Sequence, residues 1–308
     1  MRLAFATETC CSERPRAFPA TAPSPCMKRG LLILTITIAS CVASDAATAV
    51  YQNTFDTMSS IDQFTIYSQS FVGFNPPPLH HVSVVNGEVH IETDANRPNG
   101  PGTNPVLLGR ADLMLDTSSL GSGYNSTISS SAGLVSWSFN VANQDGEFNN
   151  GFEFVLLSSN PDPHDVSAHG YVFKGGSLAG DRMTLTRFDF GVGGGQSTLI
   201  DITNGLGTLP QTGSFKITYN PFNDEWDLFG SISPQFVDPD TVQNLFGTAT
   251  DGTYTHLNTP YFGFGGLATG LDIFDNVTIA VVPEPSTLGM ILFALFVAAI
   301  FFRTRARL

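Results

Sequence analysis

Between residues 50 and 282 the apolar positions recur with a period of two, or in short aromatic and β-branched runs, with turn residues between them. Val82-Ser83-Val84-Val85-Asn86-Gly87-Glu88-Val89-His90-Ile91 reads as a hairpin closed by Asn86-Gly87, because Asn and Gly tolerate the positive φ of a type I′ turn. The same pattern predicts strands over Leu134–Val141, Phe152–Leu157, Met183–Phe190, Phe215–Tyr219, Trp226–Ile232 and Phe274–Val281. No amphipathic 3.6-residue period of useful length separates them, which argues against a parallel sheet with crossover helices. Pro76-Pro77-Pro78 and the stretch 96–105 read as surface loops, not linkers. The expectation is therefore all-β: one antiparallel β-sandwich of the jelly-roll kind spanning 50–282.

The two ends follow a different pattern. Met27-Lys28-Arg29, the apolar run from Leu31 to Val42, and Ala47-Thr48-Ala49 have the charged, apolar and small-residue regions of a secretory signal peptide. Residues 1–49 are assigned to it, with cleavage after Ala49 and Met27 as the true start; the alternative is a long charged n-region. Ile38-Ala39-Ser40-Cys41 offers a second reading, a lipobox in which Cys41 is acylated. At the other end, Val282-Pro283-Glu284-Pro285 precedes an apolar run from Leu288 to Phe302 and then Arg303, Arg305 and Arg307. Paired prolines block helix continuation. The run of residues 288–302 reads as a short transmembrane helix, with the arginines held on the cytoplasmic side.

Charge sharpens this division. The whole chain has a net charge of −13, and the segment 50–282 contains six basic and 23 acidic residues. Such a body does not bind nucleic acid, which demands clustered Lys and Arg to displace counterions. All four cysteines lie at or before Cys41, so cysteine catalysis, cysteine-based zinc sites and iron–sulfur clusters are excluded from the body. Charged residues make up 13% of the chain against roughly a quarter in an average soluble domain, a composition that suits an extracellular β-protein.

Pro283-Glu284-Pro285, a single apolar span and a basic end together resemble the PEP-CTERM sorting signal of Gram-negative bacteria. The resemblance covers 283–308. It implies processing near the triplet by exosortase, a membrane transpeptidase-like enzyme, and transient attachment to the inner membrane. It further implies final placement at the cell surface or in an extracellular matrix made alongside exopolysaccharide. Pro283, Glu284, Pro285, Arg303, Arg305 and Arg307 are then features of a substrate, not of an active site. The alternative is an ordinary tail-anchoring helix after a Pro-rich linker.

Within the body, Gly151–Leu156, Phe215–Asn220, Trp226–Gly230 and Phe274–Ile279 resemble strands of the concanavalin A-like, laminin-G-type jelly rolls. Such folds host lectins, adhesins and glycosidases, so the fold does not settle the activity. Glu225-Trp226-Asp227-Leu228-Phe229-Gly230 resembles the E-x-D-x-x-E strand of jelly-roll glucanases, but Gly230 stands where the general acid is required. Retaining hydrolysis needs two carboxyl groups about 5 Å apart, so catalysis through this strand is not expected. The expectation is a non-enzyme that binds or sits within exopolysaccharide; the alternatives are a structural matrix protein without a ligand and a glycan-active enzyme.

Calcium wants six to eight oxygens, and two acidic loops offer some: Asp162 and Asp165, and Asp238 and Asp240. The bland reading of each is a solvated turn. His164 and His169 flank Asp165 closely enough for a metal site to be conceivable, whereas the six histidines together form no metal signature. Gly191-Val192-Gly193-Gly194-Gly195 precedes no helix and reads as a turn, not a phosphate loop. Tyr171, Tyr254, Tyr261 and Phe262 lie near loop segments and are the candidate platforms for stacking on sugar rings, although aromatics in alternating strands are usually core.

Overall fold

The computed structural model describes residues 47–69, 80–93, 110–120, 124–143, 151–177, 180–202, 212–267 and 271–283. Most of the signal-peptide region, with Met27 and Cys41, lies outside these residues, as do Glu284, Pro285, Arg303, Arg305, Arg307 and the span expected at 288–302. Among the described residues no helix is long and apolar enough to cross a membrane.

Fifteen strands occur among the described residues: β1 (Thr48–Asn53), β2 (Thr65–Gln69), β3 (His80–Val85), β4 (Glu88–Thr93), β5 (Arg110–Asp116), β6 (Gly133–Asn143), β7 (Phe152–Ser158), β8 (Gly170–Ser177), β9 (Gly180–Phe188), β10 (Gln196–Ile202), β11 (Thr212–Asn220), β12 (Glu225–Ile232), β13 (Leu245–Thr250), β14 (Tyr261–Leu267) and β15 (Leu271–Pro283). They form two antiparallel sheets. One runs β13-β12-β11-β6-β15-β4-β3, with β1 also on β15; the other runs β10-β9-β8-β7-β14-β5-β2. The fold is thus an all-β sandwich, as the period-two pattern requires.

Local chemistry explains the turns. Asn86 and Gly87 have φ of 54° and 86°, the two left-handed residues of a type I′ turn, and join β3 to β4 in register. Strand β15 pairs with β4 through residues 271–274 and with β1 through residues 277–281. A bulge between Asp275 and Thr278, with Asn276 at φ 52°, separates the two halves. The extra residue turns both Phe274 and Val277 inward, so the apolar period is kept on each side of it.

The facing sides of the sheets bury one large core. Trp137, Phe139, Phe154, Phe173, Phe215, Tyr219, Trp226 and Phe274 have no exposed surface. Phe139 and Phe154 stack across the two sheets with centroids 3.7 Å apart and planes 7° from parallel. Trp226 and Leu228 point inward and Gly230 lies beneath Phe215, so the Glu225–Gly230 strand shows its apolar side to the core. On its other side, Asp227 accepts a hydrogen bond from Thr248 of β13.

The two terminal strands lie side by side. Thr48 pairs with Val281 and Pro283 with Gly133, so the described chain enters and leaves at one pole of the sandwich. Thr48 and Ala49, the last residues of the expected signal segment, are exposed, whereas Tyr51 is already core.

Asp275 is a local liability. Burial, together with the charges of Glu88 and Asp56, pushes its pKa up to about 6, although the Asn276 N–H opposes this. A carboxyl whose folded pKa is raised contributes most below its unfolded pKa of about 3.9, and that contribution is lost as pH rises through about 6. Asp275→Asn should therefore stabilise the protein above pH 6 by about 1 kcal/mol after discounting for solvent access, and be neutral near pH 4. Melting curves at the two pH values check this.

Candidate functional site

The acidic loops close on themselves. In the β7–β8 loop, Asp162 accepts the His164 N–H at 3.0 Å and Asp165 accepts the Ser167 N–H at 2.7 Å. In the β12–β13 connection, Asp238 caps a short 3-10 turn by accepting the Asp240 N–H at 3.0 Å. The Asp240 carboxylate accepts from Ser138 on the outer face of β6, and its carbonyl accepts from Lys216 Nζ at 3.1 Å. Both pairs thus act as turn-formers. Asp162 and Asp165 share one loop, and Asp238 and Asp240 share another.

The aromatic candidates divide. Tyr171 and Phe262 are fully buried, which corrects the expectation that they stack on sugar. The ring of Tyr171 lies 4.6 Å from that of Trp226, and that of Phe262 lies 5.7 Å from Phe154. Both sit on strands that feed the core, where period two turns every second side chain inward. Tyr254 and Tyr261 keep partial exposure. The ring of Tyr254 packs 4.5 Å from His169, and its hydroxyl donates to Asp189 at 2.8 Å.

The structure assembles a cluster that no sequence motif marks. On the face of the second sheet turned away from the core, Asp112 of β5 is paired with Gly265 of β14, and Gly265 is paired with Glu153 of β7. A Cβ on Gly265 would sit 2.2 Å from Asp112 Oδ1 and 2.4 Å from the Ala111 carbonyl. Glycine there lets the Asp112 carboxylate lie over the strand, towards Glu153.

The β7–β8 loop then folds back over this face and lowers His164 onto both acids. His164 Nε2 contacts Glu153 Oε1 directly and lies 3.6 Å from Asp112 Oδ2. Its Nδ1 is 2.7 Å from the Val192 carbonyl. A carbonyl only accepts, so Nδ1 carries a proton and Nε2 is the atom aimed at the carboxylates. His164, Asp112 and Glu153 side chains are 8%, 1% and 9% exposed.

The glycine run supplies that carbonyl. Val192 N donates to the Pro163 carbonyl at 2.8 Å and Gly191 N to the Ala168 carbonyl at 2.8 Å, so two loops are zipped together above the sheet. Beneath them Met114, Val155, Ala168, Val172, Phe188 and Val192 form a second, smaller apolar cluster. Next along the row, Lys174 is paired with Glu153, and its Nζ donates to Gln196 at 2.6 Å. Burial lowers the pKa of that ammonium, and the charge of Glu153 opposes the shift.

A second polar network ties the β13–β14 loop to the sheet. Asp251 accepts from the Tyr171 hydroxyl at 2.6 Å, Arg187 Nη1 at 2.6 Å and the Thr253 N–H at 2.9 Å, while its carbonyl accepts from Trp226 Nε1 at 2.9 Å. Its groups are all mutually engaged, and the arrangement serves to hold the loop.

Comparison with known proteins supplies one sequence match and several distant likenesses. No curated protein matches the chain. Solved structures include the Emp46p carbohydrate recognition domain in its metal-free form, at 12% identity and TM-score 0.45, covering 76% of this chain and 97% of that one. The CBM2 module of the Lactobacillus casei BL23 phage J-1 evolved Dit follows at 10% and 0.44, covering 78% and 97%. The Bacillus licheniformis β-glucanase gives 10% and 0.40, covering 78% and 99%. At this distance the likenesses do not extend to activity. The family profile for the PEP-CTERM protein-sorting motif matches residues 281–306, beginning within the last three residues of β15. The chain therefore carries a PEP-CTERM protein-sorting motif joined directly to an antiparallel β-sandwich.

Proposed function

We propose that this chain is an exosortase-sorted surface or exopolysaccharide-matrix protein whose sandwich is a non-catalytic glycan-binding or adhesive module. The PEP-CTERM match at residues 281–306 carries the reading. The basic C-terminal residues Arg303, Arg305 and Arg307 and the apolar run before them suit an inner-membrane stage before processing. The acidic surface keeps such a domain soluble in a polymer matrix.

The non-catalytic reading draws support from the Glu225–Gly230 strand, which lacks a second carboxyl group where glucanases place the acid. Glycan contact falls to partly exposed rings and loop amides, with Tyr254 and Tyr261 as the remaining aromatic candidates. A structural role without a ligand is the second reading, favoured by the burial of Tyr171 and Phe262.

Replacement of Pro283-Glu284-Pro285 by alanines should leave export intact and stop final sorting, so that the chain accumulates in the inner-membrane fraction. Unchanged fractionation would defeat the proposal. Co-sedimentation of the sorted protein with the producing cells' exopolysaccharide then separates the two readings of the sandwich: saturable binding supports the glycan module, and its absence supports the ligand-free one.

A further inference from the structure

We infer that Asp112, Glu153 and His164 form a binding site for one divalent transition-metal ion of the manganese or zinc kind. Their ligand atoms all lie within 4.8 Å of one another. An ion with bonds of about 2.1 Å spans donors up to roughly 4.2 Å apart, so small rotamer changes close the set onto one centre. The donor set selects the metal: an imidazole nitrogen disfavours calcium and magnesium, and two carboxylates disfavour soft copper(I).

Independent features orient the set. The Val192 carbonyl fixes the proton on His164 Nδ1 and leaves Nε2 as the donor, an outer contact that ligating histidines commonly make. Gly265 leaves room for the Asp112 carboxylate between the two flanking strands. Burial adds a charge argument. The two carboxylates stand in a site sheltered from water, where charged oxygens favour a cation among their partners.

The metal-free alternative is an imidazolium bridging the two acids. Either arrangement pins the β7–β8 loop to the sheet, so the two differ in what a chelator does. Bound metal would make the loop's attachment, and with it the smaller apolar cluster, dependent on the ion.

The test uses the full-length protein purified without chelator, analysed for retained metal, then melted in EDTA and with Mn2+ or Zn2+ alone. The expected result is one ion per chain and a melting temperature higher by about 5–10 °C at a hundredfold excess over Kd. Glu153→Gln and His164→Asn should each weaken retention at least tenfold; asparagine keeps a donor for the Val192 carbonyl while removing Nε2. Asp165→Asn, outside the cluster, should bind as the wild type does. Identical melting in metal and chelator with no retained ion would overturn the inference and leave the bridging imidazolium. Retention that survives His164→Asn would overturn it as well. A nitrogen coupling in the Mn2+ resonance, lost in His164→Asn, gives a readout that a purely packing role for the histidine does not produce.

Discussion

Phe139→Ala should lower the melting temperature by about 8–15 °C, corresponding to about 3–5 kcal/mol for a domain of this size. Phe139 is fully buried on β6, and its ring stacks on Phe154 of the opposite sheet with centroids 3.7 Å apart. It also packs near Phe215 and Phe173, at 5.8 and 6.0 Å. Truncation removes contact from both sheets, and the surrounding rings are too rigid to collapse into the space. Phe154→Ala should cost about the same. The double mutant should lose less than the sum by about 0.5–1.5 kcal/mol, the coupling of one stacked pair. Strict additivity in calorimetry would show that the stack contributes only its buried area.

The second large effect concerns Asp251→Ala. It strips the acceptor from a buried Tyr171 hydroxyl and the counter-charge from Arg187, which should cost about 2–4 kcal/mol. Burial alone raises the Asp251 pKa, but hydrogen bonds from Tyr171 and Thr253 and the Arg187 charge outweigh it and hold the carboxyl below its ordinary value. A carboxyl with a depressed folded pKa stabilises the fold above its unfolded pKa of about 3.9, and that stabilisation is lost as pH falls through the folded value. Wild-type stability should consequently decline more steeply below pH 5 than that of Asp251→Asn. Parallel acid titrations of the two proteins would refute the linkage.

Sequence reading located the strands rich in β-branched and aromatic residues, β6, β7, β9, β11, β12 and the second half of β15, together with the Asn86-Gly87 hairpin. β14 escaped it because Tyr261-Phe262-Gly263-Phe264-Gly265-Gly266-Leu267 places glycines where alternation expects side chains. Those glycines give room to neighbours: Gly263 to the Leu113 carbonyl and Met114, Gly265 to Asp112. β10 and β13 escaped because both mix exposed polar and apolar residues without a buried period.

The candidate cluster was hidden for a related reason. Its members come from β5, β7 and a loop, and only the β5-β14-β7 order brings the first two together. A usable signal did exist: Asp112 and Glu153 each interrupt an apolar strand, in Arg-Ala-Asp-Leu-Met-Leu-Asp and Phe-Glu-Phe-Val-Leu-Leu-Ser. An acid inside an apolar run asks for a partner, and His164 is that partner. In the acidic loops Asp162, Asp165 and Asp238 each accept a backbone N–H of their own turn, as Asp before a turn commonly does.

The adjacency of β1 and β15 at one pole has a mechanical consequence. A pull exerted through Pro283 against a load on the far pole runs along the length of β15, which is hydrogen-bonded to β6 on one side and to β1 and β4 on the other. Antiparallel ladder bonds stand perpendicular to the strands, so such a pull shears many of them at once instead of opening them one by one. The C-terminal end of the sandwich is held by the strand best placed to resist extraction.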